Sequence, residues 1–313
     1  MDRERLLLLG AFGVIYFVWG STYLANYWAI QTIPPFLMCG GRFLLAGLLL
    51  YSYTYLFRKR TGAPTLRQWK NAALIGILFL GVGTGATVWA QQFIPTSLTA
   101  LIVAFDPLLI MLLLWWLIGI RPAGRAFLGA AISIIGVSML VGQPQLSGSP
   151  DSVKGLLAIG TALLAWAIAS IYVSRIDMGA DRVRATAMQM IAGGVLIFLF
   201  SIGKGDLTGF TFAQVDARSF GSWLYLVFFG SILAFSAFNY LLARVSPEKV
   251  ATSTYVNPVV ALLLGGWLNN EMITRQSLLA GAIMLTGVYF INSTGDRKKT
   301  VVKPTGSEQI PKK

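Results

Sequence analysis

Apolar positions along this chain fall in long runs, with neither the alternation of a half-buried strand nor the spaced stripe of a surface helix. Ten runs of about 20 residues lie near 6–29, 35–57, 69–91, 97–119, 125–142, 154–174, 184–203, 220–243, 248–268 and 275–293. At about 1.5 Å of rise per residue, such a run is long enough to cross the roughly 30 Å hydrocarbon core of a bilayer. The stretches between them are short and turn-forming, as in TIPP (32–35), FIPTS (93–97) and VSPEK (245–249). They leave no room for a soluble domain. The pattern predicts an all-α integral membrane protein with ten transmembrane helices.

The pattern also repeats. Residues 100–140 align without a gap on 251–291, with eleven identities in 41 positions, among them Pro107 on Pro258, Trp116 on Trp267 and Gly136 on Gly287. Earlier in the halves, an offset of 147 places Trp19 on Trp166 and Arg42 on Gln189. Two units of five helices are expected, 1–150 and 151–293, joined by GQPQLSGSPDS and followed by a basic tail, 294–313. Because five is odd, the second unit enters the membrane from the opposite side, the inverted-repeat arrangement of many secondary transporters.

Composition agrees: 56% of residues are hydrophobic and 12% charged, and mean hydropathy is +0.69. A net charge of +13 suggests nucleic acid until the charges are placed. Between the predicted helices, twenty Lys and Arg fall on the side that holds both termini. Only Lys154, Lys204, Arg218 and Arg275 fall on the other, and Arg42 lies inside a helix. The positive-inside rule therefore puts both ends in the cytoplasm and removes nucleic acid as a partner. The first run is too long for a signal-peptide core and no small-residue cleavage site follows it, so it is counted as a helix. A single cysteine, Cys39, excludes an intrachain disulfide.

The segments WGSTYLANYWAIQTIPP (19–35), GGRFLLAGLLL (40–50) and SPEKVATSTYVNPVVALLLGGWL (246–268), with the two five-helix halves, resemble the drug/metabolite transporter superfamily in its EamA branch, most of all the YedA-type exporters. The resemblance covers residues 6–293. It implies ten helices in two inverted repeats, a bacterial inner membrane, and a central cavity through which small metabolites or drugs leave the cell. It implies no substrate. The family often carries a Glu after the fourth helix of a repeat. Glu271 supplies it in the second half, whereas the first half has Ile120 and Arg121. An acid before the proline of the fourth helix, Asp106, is a second departure.

Asp106 lies about ten residues into its run, roughly 15 Å deep and near the midplane. A carboxylate there costs about 2.5–3.5 kcal/mol on insertion scales, so it is expected to face a partner or a wet cavity. Pro107 lacks an N–H, frees the carbonyl of Val103 and is expected to kink the helix; Asn257-Pro258 repeats the device. Arg42 sits at similar depth, and its match in the other half is neutral, as is that of Asp106: Gln189 and Asn257. The two charges are expected to pair. A static salt bridge and a proton- or substrate-binding pair both fit the sequence.

Polar residues at helical spacing mark further cavity candidates: Trp19, Thr22, Tyr23, Thr87, Gln91, Asn239 and Tyr240. Trp89, Trp166 and Tyr255 are candidate aromatic walls. For any single Ser or Thr, packing between helices is the favoured account, and it is the convergence of several stripes that argues for a polar cavity. GILFLGVGTGAT (76–87) lacks the Lys-Ser or Lys-Thr of a phosphate loop, so its glycines, with Gly129, Gly136, Gly281 and Gly287, are assigned to close helix contact. No His is present, which removes Ser/His proteolysis and His-ligated zinc, and one mid-helix Asp is half an aspartyl dyad. No catalytic residue, metal or cofactor is expected. The function expected is efflux of small metabolites or drugs, amino acids or aromatic compounds among them, by alternating access with protons as a possible coupling ion. A gradient-driven facilitator or exchanger, an uptake carrier and a non-transporting receptor are the alternatives.

Overall fold

The computed structural model describes residues 3–57, 62–143, 150–173, 175–179, 181–242, 244–245, 250 and 253–292, without the side chains of Asn239, Leu242 and Asn292. Ten helical rods follow one another: α1 (Arg3–Ala29), α2 (Pro35–Phe57), α3 (Leu66–Ala90), α4 (Thr96–Ile118), α5 (Gly124–Val141), α6 (Pro150–Val173), α7 (Arg182–Lys204), α8 (Ala217–Leu242), α9 (Ser253–Leu268) and α10 (Arg275–Asn292). Eight are long and apolar enough to cross a membrane, and α9 and α10 are shorter apolar helices. Of the ten expected spans, eight meet this criterion, and α9 and α10 fall short of it over their described residues. The run assigned to α9 began at 248, and its opening turn overlaps residues outside those described.

Local chemistry sets the rod ends. Thr65 and Gln68 form a capping box at the start of α3, Asp181 accepts from the amides of Val183 and Arg184 at the start of α7, and Asp216 accepts from Ser219 at the start of α8. Each satisfies amides that the first helical turn leaves without partners. The exposed Asp216 carboxyl is held below its ordinary value by that amide bond. α4 and α7 stop at Gly119 (φ 76°) and Gly205 (φ 86°), left-handed positions that glycine adopts without strain.

The rods meet at glycines. α2 crosses α7 so closely that a Cβ on Gly40 would lie 2.7 Å from the Phe198 nitrogen, and one on Gly194 2.5 Å from that of Leu44. α5 lies on α10 in the same way: Cβ atoms at Gly129 and Gly287 would each come within 2.5 Å of the other residue's carbonyl oxygen, and one at Gly136 within 2.6 Å of the Met284 nitrogen. Backbone cannot retreat as a side chain can. These contacts are the bilayer's substitute for hydrophobic collapse, which lipid does not drive. Gly76 packs on the Gln189 carbonyl, Gly83 on the Trp166 indole and Gly281 on Leu101, while Gly81 and Gly85 make ordinary contacts.

Within the bundle α1 packs on α8 and α9, α6 on α3 and α4, and α4 on α9. The connections gather at two ends. At the end where α1 begins, Arg184 donates to the Gly62 carbonyl (3.0 Å) and Asn71 to that of Asp177 (2.7 Å). At the opposite end, here called the far end, Trp28 donates to Asn269 (3.3 Å) and Ser219 to the Trp28 carbonyl (2.8 Å). Trp116 and Trp267, paired in the sequence alignment, are both about four-fifths exposed (80% and 79%), which suits a membrane-interface belt. Trp115 stands edge-on to Phe127 at 5.3 Å.

Candidate functional site

Three rods contain π-helical segments: Val14–Val18 in α1, Ile77–Thr84 in α3 and Leu226–Leu233 in α8. Each widened turn shifts the phase of the residues that follow it. Trp19 comes directly after the first, Thr84 ends the second, and Phe235 follows the third, and all three line one cavity of about 190 Å³ between the helices. Thr22, Tyr23 and Asn26 continue its wall along α1, Thr87 and Val88 along α3, and Leu163 and Trp166 along α6. The walls are partly aromatic: Trp19 packs on Phe235 and Phe238 (5.6 and 5.1 Å between ring centres), and Trp166 on Phe79 (4.5 Å).

α4 breaks beside this cavity. Its first segment ends at Val103, Ala104 and Phe105 form a turn, and a second helix starts at Asp106 with Pro107 in its first turn. That is the place where a missing N–H costs least, and the helix start favours a carboxylate. Asp106 lines the cavity, and its Oδ1 is buried without a hydrogen-bond partner among the described residues. The equivalent proline acts differently: α9 runs unbroken through Pro258. Asn257, with its amide nitrogen turned toward the carbonyls, donates to Tyr16 (3.0 Å), Ile15 (3.1 Å) and Ser253 (3.2 Å), binding α9 to the widened turn of α1.

Arg42 reaches the same cavity from α2, 4% exposed. It does not pair with Asp106. Its Nε donates to Ser231 Oγ at 2.8 Å and its Nη1 to Asn26 Oδ1 at 3.0 Å, and its guanidinium lies 4.8 Å from the Phe43 ring centre. Gly230 makes the room, since a Cβ there would stand 3.0 Å from Nη2. The expected ion pair fails for a packing reason: α2 lies against α7 and α8 and α4 against α6 and α9, so equal depth does not make the two residues neighbours.

The other candidates divide. Trp89 does not line the cavity and meets Phe93 edge-on (4.9 Å), because it stands two residues from Thr87 and so on the other side of α3. Gln91 is buried and ties α3 to the Tyr23 carbonyl (3.0 Å). Tyr255, two residues from Asn257 and so on the far face of α9, donates to the Val288 carbonyl on α10 (3.0 Å). Gln189 meets Met178 sulfur at 3.2 Å, and Tyr240 stacks under the Arg244 guanidinium at 3.9 Å. The Asn239 side chain lies outside the described residues.

One set of partners, those of the Glu271 that the resemblance singled out, is not legible in the sequence. Glu271, between α9 and α10, closes on the start of α4: Oε1 accepts from the Thr96 amide (3.0 Å) and hydroxyl (2.7 Å) and from Asn269 (3.2 Å), and Oε2 from the Ser97 amide (3.0 Å) and hydroxyl (2.5 Å). Burial opposes the charge, but the bonds from Ser97 and Thr96 outweigh it and hold the carboxyl below its ordinary value. With the Gln91, Trp28 and Ser219 bonds it ties α1, α3, α4, α8 and α9 together at the far end. Thr-Ser after Pro95 reads in sequence only as a helix start; its partner is 174 residues away.

A polytopic helical bundle enclosing a small cavity of mixed polar and aromatic lining, with Arg42 and Asp106 on its walls without an ion-pair partner among the described residues, is the architecture of a membrane carrier. The EamA-like transporter family model matches residues 6–142 and again 153–293, and the chain belongs to that family. It is 38% identical over 291 residues to the uncharacterized inner membrane transporter YedA of Escherichia coli K12, spanning 92% of each chain. It is 24% identical to a probable amino-acid metabolite efflux pump of the same organism, over 91% of this chain and 94% of that one. The uncharacterized transporter YoaV of Bacillus subtilis is 23% identical, over 94% and 99%. A solved crystal structure 19% identical in sequence shares the fold, with a TM-score of 0.63 over 92% of this chain and 96% of that one.

Proposed function

We propose that the protein is a secondary transporter that exports small metabolites by alternating access, built from two inverted five-helix repeats, 1–150 and 151–293, with its basic tail, 294–313, and both termini in the cytoplasm of a bacterial inner-membrane topology. One feature carries the reading: a cavity of mixed polar and aromatic lining between the halves, with a carboxylate that accepts from five donors tying helices together at the far end. The packing plan supports the repeats. Exchanging α1–α5 with α6–α10 turns the α1–α8 contact into α6–α3 and α1–α9 into α6–α4, and leaves α2–α7, α4–α9 and α5–α10 unchanged. Such a bundle has two equivalent ways to close, which is what alternating access requires.

The Glu271 clamp breaks that equivalence. Where α4 ends, the first half has Ile120 and Arg121 in place of a carboxylate, so no mirror-image clamp can be made from those residues at the other end. The resting state is closed outward, and the cavity loads from the cytoplasm. At 190 Å³ it is smaller than the roughly 300–1,000 Å³ of drug-sized sites, which favours small metabolites over bulky drugs. Asp106 is the proton carrier that couples export to a gradient.

The test is counterflow in proteoliposomes: preloaded unlabelled solute should drive saturable uptake of labelled solute. Asp106→Asn should abolish accumulation driven by a pH gradient while exchange at saturating solute persists. Unchanged behaviour in both would make the protein a facilitator driven by its solute's own gradient. Cysteines placed at Lys154, Lys204 and Arg275 should react with an impermeant reagent added outside intact cells, and labelling at Arg182 instead would reverse the topology.

A further inference from the structure

The connection from α7 to α8, GDLTGFTFAQVD (205–216), lies at the far end. Its backbone bonds to itself: the amides of Thr208, Phe210, Gln214 and Val215 donate to the carbonyls of Gly205, Leu207, Thr211 and Phe212 at 2.9–3.3 Å. Phe210 and Val215 pack on the core that Phe36 and Trp223 also join. Fixed in this way, the connection leaves Leu207 and Phe212 exposed. Phe212 is 87% exposed, more than any other large apolar side chain among the described residues. Water is a poor medium for a phenylalanine held out on an ordered turn. The neighbouring surface is apolar as well. Val195, Leu196, Leu199 and Phe200 form an exposed stripe along α7, the kind of face a spanning helix offers to lipid, and it runs toward the connection. Phe36 stands edge-on to Phe200 (5.0 Å), with the Lys204 ammonium 5.6 Å from its ring centre. Of the four Lys and Arg that the sequence puts on this side, two, Lys204 and Arg218, bracket the connection. Its two carboxylates are engaged: Asp206 accepts from Ser201 (2.8 Å) and Lys204 (3.0 Å), and Asp216 from the Ser219 amide (2.6 Å).

We propose that this connection is an interfacial anchor: Phe212 and Leu207 seat at the boundary of headgroups and acyl chains in the leaflet at the far end, while Lys204 and Arg218 reach phospholipid phosphates. Aromatic rings favour that depth, and long cationic side chains lie along it with their charge among the headgroups. Lipid is favoured over a protein partner because the patch continues the exposed face of α7 and because cations flank its apolar groups, as they do where amphipathic segments lie in the interface. The consequence is mechanical. Beside the anchor, Arg218 lies over the Trp28 ring (3.9 Å) and Ser219 donates to the Trp28 carbonyl (2.8 Å), so the lipid boundary sets the depth of α8 at the place where α8 holds α1. The anchor depends neither on what the cavity carries nor on whether the protein transports.

The experiment uses the full-length protein in nanodiscs of phosphatidylethanolamine and phosphatidylglycerol, whose two faces are both open to solutes. Cys39 is buried, so a nitroxide label goes to a cysteine introduced by Phe212→Cys, Thr208→Cys or Leu199→Cys. Collision of the label with oxygen, which concentrates in lipid, is compared with collision with a water-soluble nickel chelate. For a seat roughly 5–10 Å into the boundary, the oxygen-to-nickel ratio at 212 should exceed that at 208 by at least ~3-fold and approach that at 199, in the exposed α7 stripe. Equal ratios at 212 and 208 would overturn the anchor. Lys204→Gln with Arg218→Gln should lower the ratio at 212 by about twofold, as the hold on phosphate is lost. No change would overturn the cationic half of the proposal. Because a nitroxide is itself apolar, a second measurement keeps an aromatic ring in place: benzoylphenylalanine substituted for Phe212 and irradiated in intact cells. A mass gain of one phospholipid supports the anchor. A protein adduct overturns it in favour of a protein partner, and so does the absence of any adduct at 212 when the same probe at 199 captures lipid.

Discussion

α4 and α9 begin from nearly the same instructions and end as different machines. Each has a polar residue before a proline, and the two align at a single offset with Trp116 on Trp267. α4 breaks into two helices and leaves a carboxylate oxygen without a donor in the cavity. α9 stays whole, and its amide is consumed by carbonyls of α1. Beyond their ends the contrast continues: α9 is followed by the Glu271 clamp, α4 by Ile120 and Arg121. The lesson is that a repeat can preserve the scaffold, through glycine crossings and helix order, while a few substitutions give the two copies different polar contacts. An Asp can remain exposed to a cavity where an Asn at the matched position is drawn into hydrogen bonds.

The clamp offers the largest handle on this contrast. Glu271→Ala leaves two backbone amides and two hydroxyls at the start of α4 without their acceptor, an expected loss of about 2–4 kcal/mol read as a fall in melting temperature. The pH dependence has a definite sign. Since the folded state holds the carboxyl below its ordinary value of 4.5, its contribution is fully present above that value and is lost as pH falls through the lower, folded one. The melting difference between wild type and Glu271→Gln should stay constant from neutral pH down to about 5 and shrink below about 4. A difference that grows on acidification would mean that the charge is not held by these donors.

A smaller effect separates the prolines. Pro107→Ala restores an N–H where α4 is broken, and amide exchange at Phe105 and Leu108 should slow as the helix closes up. Pro258→Ala, in a rod that is already continuous, should change exchange near Asn257 little. Equal responses would mean that the break is not Pro107's doing. The smallest expected effect is the coupling between Arg42 and Asp106. With no bond between them, Arg42→Gln and Asp106→Asn should add in stability to within about 0.5 kcal/mol without solute. A clear coupling in that state would restore the salt bridge that the helix packing denies.

Much of the fold is legible in the sequence because it depends on local quantities. Run length and apolarity locate the spans, since a backbone in lipid must satisfy itself as a helix. Charge along the connections separates the two ends. Glycines such as Gly129, Gly136 and Gly287 mark the close crossings, because only a residue without a side chain lets two backbones touch. The presence of Trp19, Thr22, Tyr23, Arg42, Thr87, Asp106, Trp166 and Asn257 around one cavity also agrees with stripes visible in the chain.

Tertiary structure alone decided which way each rod turns and what its polar groups meet. In a soluble helix the buried face announces itself by apolar spacing, but a helix that is apolar all round carries no such mark. The π-helical turns then change the phase mid-rod, just before Trp19, Thr84 and Phe235 reach the cavity wall. The partners of Arg42 are 16 and 189 residues away and those of Glu271 mostly 174 or 175, distances over which no local pattern operates. Sequence determined that a carboxylate and a guanidinium would lie deep in the bundle. Only the packing of α2 and α4 against different neighbours kept them apart, leaving both charges to a cavity instead of to each other.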